Sequence, residues 1–173
     1  SLQTDAGFDP AGRSVVVIGA GGAAGAAVTA CILSRAGRIT IVNRDLERAE
    51  ALLDRVSASL RTTAAEALPL DQSVASAVRE ADLIINATPV GMSAHDPSPI
   101  PGEWFHEGQL VYDMVYQRPD TSLARAARTT GAHAVGGLGM LVAQGALAID
   151  IWMGDINGQA RAPRDVMRAA ASA

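Results

Sequence analysis

The fold of this chain is decided by residues 15–25, Val15-Val16-Val17-Ile18-Gly19-Ala20-Gly21-Gly22-Ala23-Ala24-Gly25. The β-branched residues predict a buried parallel strand, and the Ala-rich residues after the glycines predict a helix. A glycine turn between a strand and a helix brings backbone N–H groups and the helix N-terminus close to a bound pyrophosphate. We therefore predict that Gly19, Ala20, Gly21, Gly22 and Ala23 bind a dinucleotide; the alternative is a glycine-rich turn that binds nothing.

Strand-like and helix-like segments alternate along the rest of the chain. After the first strand, β-branched or apolar runs predict strands at 38–42, 60–63, 82–86, 109–115 and 132–135. Helical spacing and alanine content predict helices at 23–35, 46–57, 74–80, 122–130 and 140–153. This order predicts the α/β class, as a Rossmann-like doubly wound parallel sheet with helices on both faces.

Three segments are expected along the chain. Residues 1–13 are typical of the end of a helix followed by a linker, and they suggest that the chain is a piece of a longer polypeptide. Residues 14–156 form the predicted dinucleotide-binding domain. Residues 157–173 form a C-terminal tail or helix, which either packs against a further domain or stays loose.

Composition excludes several classes of function. A net charge of −4 argues against nucleic acid as the main partner, since binding to phosphates needs a basic face. The single Cys31 cannot form an internal disulfide, and we expect it to be a buried small hydrophobic residue. We find no secretion signal and no apolar run long enough to span a bilayer, so we expect a cytoplasmic protein without a membrane partner. The sequence leaves open a monomer or a homodimer.

The end of the second predicted strand indicates which dinucleotide binds. NAD-binding domains usually carry an acidic residue there, but this chain has Asn43 and Arg44, with Arg48 one helical turn later. Guanidinium groups suit the 2′-phosphate of NADP, because arginine keeps its charge and donates two hydrogen bonds. Asp45 is repulsive toward that phosphate, but it can cap the helix or bond an unphosphorylated ribose, so NAD stays possible. In the alternative, both arginines pair with nearby glutamates.

Several separate motifs together resemble shikimate dehydrogenase, specifically its C-terminal NADP-binding domain. The similar segments cover nearly the whole chain: Gly19-Ala20-Gly21-Gly22-Ala23, Asn43-Arg44-x-x-x-Arg48, Asn86-Ala87-Thr88-Pro89-Val90-Gly91-Met92, Asp113-Met114-Val115-Tyr116 with Pro119, Thr121 and Leu123, and residues 136–144, Gly-Gly-Leu-Gly-Met-Leu-Val-Ala-Gln. The last two segments are the most specific, because generic dinucleotide domains lack them. The chain departs from the family at Asp45, where threonine or serine is usual.

The resemblance implies a reaction and a set of site residues. It implies reversible, NADPH-dependent reduction of 3-dehydroshikimate to shikimate, with Thr88, Met114 and Gly137 beside the nicotinamide. Tyr116 and Gln144 are implied to bind the substrate. From the residues alone, the favoured interpretations are an ordinary strand-end aromatic for Tyr116 and a solvent-facing amide for Gln144. The open alternatives are quinate/shikimate dehydrogenase with NAD or NADP, and an NADP-binding regulatory module without catalysis.

No catalytic residue is assigned within this chain. In the family a lysine and an aspartate of the N-terminal substrate domain transfer the proton, but all 14 basic residues here are arginines, which are poor general acids. Asp5 resembles the family's aspartate only superficially, because it lies too close to Gly19. The three histidines are scattered, so no metal site is predicted.

Overall fold

Six parallel strands form one sheet in the computed structural model, which describes residues 1–60, 62–153 and 163–172. The strands are β1 (Ser14–Ile18), β2 (Arg38–Asn43), β3 (Ala64–Pro69), β4 (Leu83–Asn86), β5 (Leu110–Asp113) and β6 (His133–Gly136). Their order across the sheet is β3-β2-β1-β4-β5-β6. The winding reverses between β1 and β4, as in doubly wound dinucleotide-binding folds, so the predicted fold is confirmed.

Helices cover both faces of the sheet. They are α1 (Leu2–Ala6), α2 (Gly22–Leu33), α3 (Leu46–Val56), α4 (Ala75–Glu80), α5 (Ser122–Thr129), α6 (Leu138–Trp152) and α7 (Arg164–Ala171). Short 3-10 turns lie at Ser57–Ser59, Gln72–Val74 and Gly102–Trp104.

The alternation of side chains along β1 divides the core into two layers. Val15 and Val17 pack in the layer that contains residues of α2 and α3. Val16 and Ile18 pack on the other face, in the layer that contains residues of α4 and α5. Each of these β1 side chains is at most 1% exposed, as expected for a central parallel strand that is covered on both faces.

The predicted strand at 60–63 is wrong. The strand there is β3, at residues 64–69, which pairs in parallel with β2 from Arg38↔Ala64 to Asn43↔Pro69. Its sequence, Ala-Ala-Glu-Ala-Leu-Pro, has little intrinsic preference for a strand. Pairing with β2 at the sheet edge overrides that preference, whereas sequence reasoning placed the strand at the earlier leucine and threonines.

Two other elements differ in length from the prediction. Strand β5 ends at Asp113, because Val115 N turns back to the Asp113 carboxylate instead of continuing the sheet. Helix α6 begins at Leu138, two residues before the predicted start, immediately after β6. The remaining predicted elements are found with small shifts in their ends.

The first and last described helices meet beside the start of α6. The predicted helix end near the N-terminus is present as α1, which ends at Gly7 in a left-handed conformation (φ 62°). Arg168 of α7 donates to Asp5 of α1 at 2.9 Å, and Met167 lies against Gly145 of α6. The predicted tail lies partly outside the described residues, and its described part is helical. Within the described ranges, no helix is long and apolar enough to cross a membrane.

The two tryptophans have opposite environments. Trp104 lies in the core layer of α4 and α5 and is only 4% exposed. Trp152, at the end of α6, is 83% exposed, and Leu147 and Ile151 on the same helix are also exposed. The second half of α6 therefore exposes three large apolar side chains on a helix that also carries Asp150.

Candidate cofactor site

The carboxyl ends of the central strands form a single row across the sheet. Parallel register aligns Val42, Ile18, Asn86, Asp113 and Gly136 from β2 to β6. The winding reverses between Ile18 and Asn86, and ligands of open α/β sheets bind in the crevice outside such a point. The segments that follow these five residues therefore line the candidate site.

Gly19 brings the loops after β1 and β4 into contact. Its φ of +114° lies in a region that side chains disfavour, and its N–H donates to Val42 O at 2.7 Å. A Cβ at Gly19 would lie 3.0 Å from Ala87 O and 3.2 Å from Thr88 Cγ2. Glycine is thus required here both for backbone conformation and for close approach.

The N-terminus of α2 fits a negatively charged group. The first N–H groups of any α-helix have no intrahelical acceptor. In this 12-residue helix Gly21 stands at the cap position and provides no side chain to accept from them. The space where a Cβ of Gly21 or Gly22 would lie is open to at least 4 Å. Unpaired N–H groups, the helix dipole and free space together fit a pyrophosphate.

Arg44 and Arg48 lie at the end of β2 and the start of α3, and both are exposed. Within the described part of the chain neither guanidinium makes an ion pair, so the alternative of pairing with Glu47 or Glu50 is not observed. Asp45 caps α3, accepting a long hydrogen bond of 3.4 Å from Arg48 N. This arrangement fits a 2′-phosphate.

Asn43 shapes the turn that carries these arginines. Its side chain is half-buried, and its Nδ2 donates to Asp45 O at 2.9 Å. The amide therefore closes the turn between β2 and α3. It helps to hold Arg44 and Arg48 on the outer side of the site.

A buried hydrogen-bond network links the ends of β4 and β5. Asn86 and Asp113 are adjacent in register, and Asn86 Nδ2 donates to Asp113 Oδ1 at 2.9 Å. The same Oδ1 accepts from Val115 N at 3.2 Å, and Oδ2 accepts from Thr121 Oγ1 at 2.5 Å. Burial raises the pKa of Asp113 above its usual value, although these hydrogen bonds act in the opposite direction. We call these three side chains the Asn86–Asp113–Thr121 network.

Met114 and Gly137, both predicted to lie at the nicotinamide, are in direct contact. The Met114 carbonyl lies against Gly137 and leaves no room for a Cβ there, while Gly137 N donates to Val115 O at 3.1 Å. Tyr116, which is 41% exposed, and Gly137 line one open cavity of about 820 Å³ at this end of the sheet. The structure therefore places Met114, Gly137 and Tyr116 near one another at this edge of the sheet.

Of Gln144 and Asp5, only Asp5 lines that cavity. Gln144 is exposed on α6, about 9 Å along the helix axis from Leu138 at 1.5 Å per residue. Asp5, which resembles a catalytic aspartate only superficially in sequence, does line the cavity. Its carboxylate lies against Gly139 and pairs with Arg168.

The remaining reactive side chains lie elsewhere. Cys31 is buried as expected, and burial raises the pKa of its thiol to about 11. The ring nitrogens of His106 lie within hydrogen-bonding distance of two carbonyl oxygens, 2.7 Å from Glu107 O and 2.9 Å from Arg79 O. No group of histidine, cysteine or acidic residues that could hold a metal occurs among the described residues.

Sequence reasoning missed the roles of Asp113 and Thr121, which it treated only as members of a motif. A signal was available, because two apolar predicted strands each carry a polar residue at or near the carboxyl end: Asn86 is the last residue of the first, and Asp113 lies two residues before the end of the second. In a parallel sheet the carboxyl ends of adjacent strands meet, so such a pair indicates a buried contact.

The chain is similar to known enzymes. Residues 3–94 match the model of the family described as shikimate/quinate 5-dehydrogenase. A shikimate dehydrogenase (NADP⁺) of Methanopyrus kandleri is 39% identical over 173 residues, which cover 98% of this chain and 58% of that protein. The chain therefore spans less than two thirds of that relative.

Solved structures show the same relationship. Shikimate 5-dehydrogenase of Thermus thermophilus, in complex with NADP(H) and shikimate, is 34% identical with a TM-score of 0.77, covering 96% of this chain and 57% of that one. Quinate dehydrogenase of Corynebacterium glutamicum, in complex with NAD, is 26% identical with a TM-score of 0.84, covering 97% and 57%. Together with the family match, this similarity shows that the chain belongs to the shikimate/quinate 5-dehydrogenase family.

Proposed function

We propose that residues 14–156 are the NADP-binding domain of a shikimate dehydrogenase, flanked by residues 1–13, which are a linker or the end of a helix, and by a C-terminal tail or helix (157–173). The whole protein would reversibly reduce 3-dehydroshikimate to shikimate with NADPH. The observation that carries this proposal is the pair Arg44 and Arg48, unpaired among the described residues, in the same site as a helix N-terminus without a cap. The names of the relatives, which include NADP⁺ enzymes, support it.

Each part of the site has a role in this proposal. Backbone N–H groups of the turn from Gly19 to Ala23 bind the pyrophosphate. Arg44 and Arg48 bind the 2′-phosphate, while Asn43 holds their turn in place. Thr88, Met114 and Gly137 contact the nicotinamide and exclude water from it. Bound NADPH supplies the hydride.

Substrate binding would involve Tyr116 and Gln144. A polyhydroxylated acid needs neutral hydrogen-bonding groups, and a glutamine amide both donates and accepts. Since arginine keeps its proton at neutral pH, we assign no proton-transfer group in this chain. We place that group in the part of the family protein that the chain does not span.

Fluorescence titration with NADPH and NADH tests the cofactor assignment on the 173-residue chain. We expect the chain to bind NADPH more tightly than NADH. Arg44→Ala removes a charged donor, so it should weaken NADPH binding by about tenfold or more and leave NADH binding unchanged. Arg55→Ala, an exposed arginine at the far end of α3, is the matched control and should change neither affinity. Tighter binding of NADH than of NADPH by the unmodified chain would overturn the assignment to NADP.

A quinate/shikimate dehydrogenase that uses NAD is the second candidate. Asp45 favours it, because its carboxylate lies at the turn that would receive the 2′-phosphate, and one relative is a quinate dehydrogenase solved with NAD. Comparing the reduction of NAD and NADP by the whole protein, with shikimate or quinate, separates the two candidates. A whole protein that binds NADPH but oxidises neither substrate would instead be a non-catalytic NADP-binding module.

A further inference from the structure

The loop after β4 keeps one backbone bond to the sheet, from Ala87 N to Ile18 O at 2.9 Å, and beyond it is held largely by side chains. Asn86 Oδ1 accepts from Thr88 N at 3.1 Å and from Thr88 Oγ1 at 2.7 Å. Asn86 Nδ2 donates to Val90 O at 3.0 Å, and Val90 N donates to Thr88 Oγ1 at 3.2 Å. One fully buried amide thus determines the path of the chain from 86 to 90.

Asp113 helps to determine which way that amide faces, together with Val90 O and Thr88 N. An ionised carboxylate only accepts hydrogen bonds, so the Asn86 NH₂ group must point at Asp113 and the Asn86 oxygen must point at Thr88. Thr121 Oγ1 and Val115 N hold the carboxylate in place from its other sides. Reversal of the Asn86 amide would put two acceptors against each other in a buried site, which is costly.

The same carboxylate also reaches the other side of the crevice. Val115, whose N–H bonds to Asp113 Oδ1, accepts from Gly137 N through its own carbonyl at 3.1 Å. Asp113 is therefore connected in one direction to Thr88 and in the other to Gly137. These are two of the three residues assigned to the nicotinamide.

We propose that Asp113 is a positioning residue for the nicotinamide end of the site, acting through Asn86 on Thr88 and through Val115 on Gly137. This inference rests on the proposed function, and it adds that the two ends of the cofactor are held independently. The adenosine end depends on exposed arginines and a helix N-terminus. The nicotinamide end depends on the buried Asn86–Asp113–Thr121 network.

Two ligands distinguish these ends. NADPH occupies both, whereas adenosine 2′,5′-bisphosphate has the adenosine and 2′-phosphate groups without a nicotinamide. In Asn86→Asp, the new carboxylate faces that of Asp113, and their repulsion displaces the Thr88 loop. We expect NADPH affinity to fall by about tenfold and bisphosphate affinity to stay unchanged. In the double variant Asn86→Asp/Asp113→Asn, the amide at 113 can donate to the new carboxylate, but Val115 N and Val90 O lose the partners they have in the original chain. We therefore expect a partial rescue, with NADPH affinity clearly above that of Asn86→Asp and below that of the original chain.

Each outcome supports or overturns the role of Asp113 at the nicotinamide end of the site. Selective loss of NADPH affinity with rescue in the double variant supports the inference. Equal loss of both ligands by a folded N86D variant, unchanged NADPH affinity, or absence of rescue overturns it. If N86D does not fold, D113N decides: selective weakening of NADPH supports the inference, and unchanged affinity for both ligands overturns it. An unmodified chain that binds neither ligand contradicts the proposed function itself, and the inference fails with it.

Discussion

The two ends of the candidate cofactor site are constructed differently. At the ends of β1 and β2, the groups available to a ligand are backbone N–H groups, open space at Gly21 and exposed arginines. At the ends of β4 and β5, the polar groups Asn86 and Asp113 are buried and bonded to one another. The polar groups of the first end are free to bond to a ligand. Those of the second end already bond to other groups of the protein.

This difference separates binding from stability. Exposed groups at the β2 end contribute little to folding, so substituting them should change affinity alone. Buried groups at the β5 end would be left without partners if one of them were removed, and such groups are costly. We therefore expect substitutions at the β2 end to change cofactor affinity and substitutions at the β5 end to change stability. Each prediction below tests that contrast.

The largest effect is expected from Asp113→Ala. The variant leaves Asn86 Nδ2, Val115 N and the Thr121 hydroxyl without their buried acceptor, so we expect it to lower the free energy of unfolding by about 3 kcal/mol or more. Asp120→Ala is the control, because Asp120 pairs with two arginines but its side chain is 55% exposed. It should cost less than about 1 kcal/mol. Urea unfolding measures the free energy of unfolding of both variants. Similar losses in Asp113→Ala and Asp120→Ala would contradict the expected difference between buried and exposed groups.

Gly19→Ala tests the point where the two ends touch. A side chain at a φ of +114° is strained and would press on Ala87 O, so we expect a loss of about 2 kcal/mol in stability. Gly21→Ala has φ −86° and open space, and should cost under about 1 kcal/mol. We expect G21A to weaken NADPH binding, because the added methyl group lies where the pyrophosphate would approach. Thermal unfolding measures the stability of the two variants, and titration measures their affinity for NADPH. Equal losses of stability in the two variants would contradict this prediction.

The raised pKa of Asp113 predicts a dependence of stability on pH. The folded chain holds a proton on this carboxyl at pH values where the unfolded chain has released it. Stability contributed by this group therefore falls as pH rises from the ordinary value of 3.8 to the raised value, and is constant above it. Asp113→Asn lacks this titration. The difference in unfolding free energy, original minus D113N, should decrease as pH rises through that window, and a difference that increases would contradict the raised pKa.

The smallest effect is expected from Asp45→Asn. Asparagine still caps α3, so stability should change by less than about 0.5 kcal/mol. Loss of the negative charge removes repulsion toward a 2′-phosphate, and NADPH affinity should rise by roughly threefold at low salt. NADH affinity serves as the internal control and should not rise. A parallel rise for both dinucleotides would show that Asp45 does not distinguish them.

The sequence predicted the β2 end of the site better than the β5 end, for a physical reason. The turn from Gly19 to Ala23 and the arginines after β2 are local patterns, and the structure places them together at the carboxyl edge. The contact between Asn86 and Asp113 spans 27 residues, and it depends on the neighbouring register of β4 and β5. Residue spacing does not encode such a register. The same reason explains β3. Its alanines favour a helix, but it forms a strand because it pairs with β2.

The opposite environments of the two tryptophans give the chain a pair of optical reporters. Emission from Trp104, inside the layer of α4 and α5, follows loss of the core packing. Emission from Trp152, on the outer surface of α6, is open to quenching by iodide, and anything that covers that surface would protect it. Unfolding of the sheet and association through the apolar end of α6 can therefore be followed separately in one unlabelled sample.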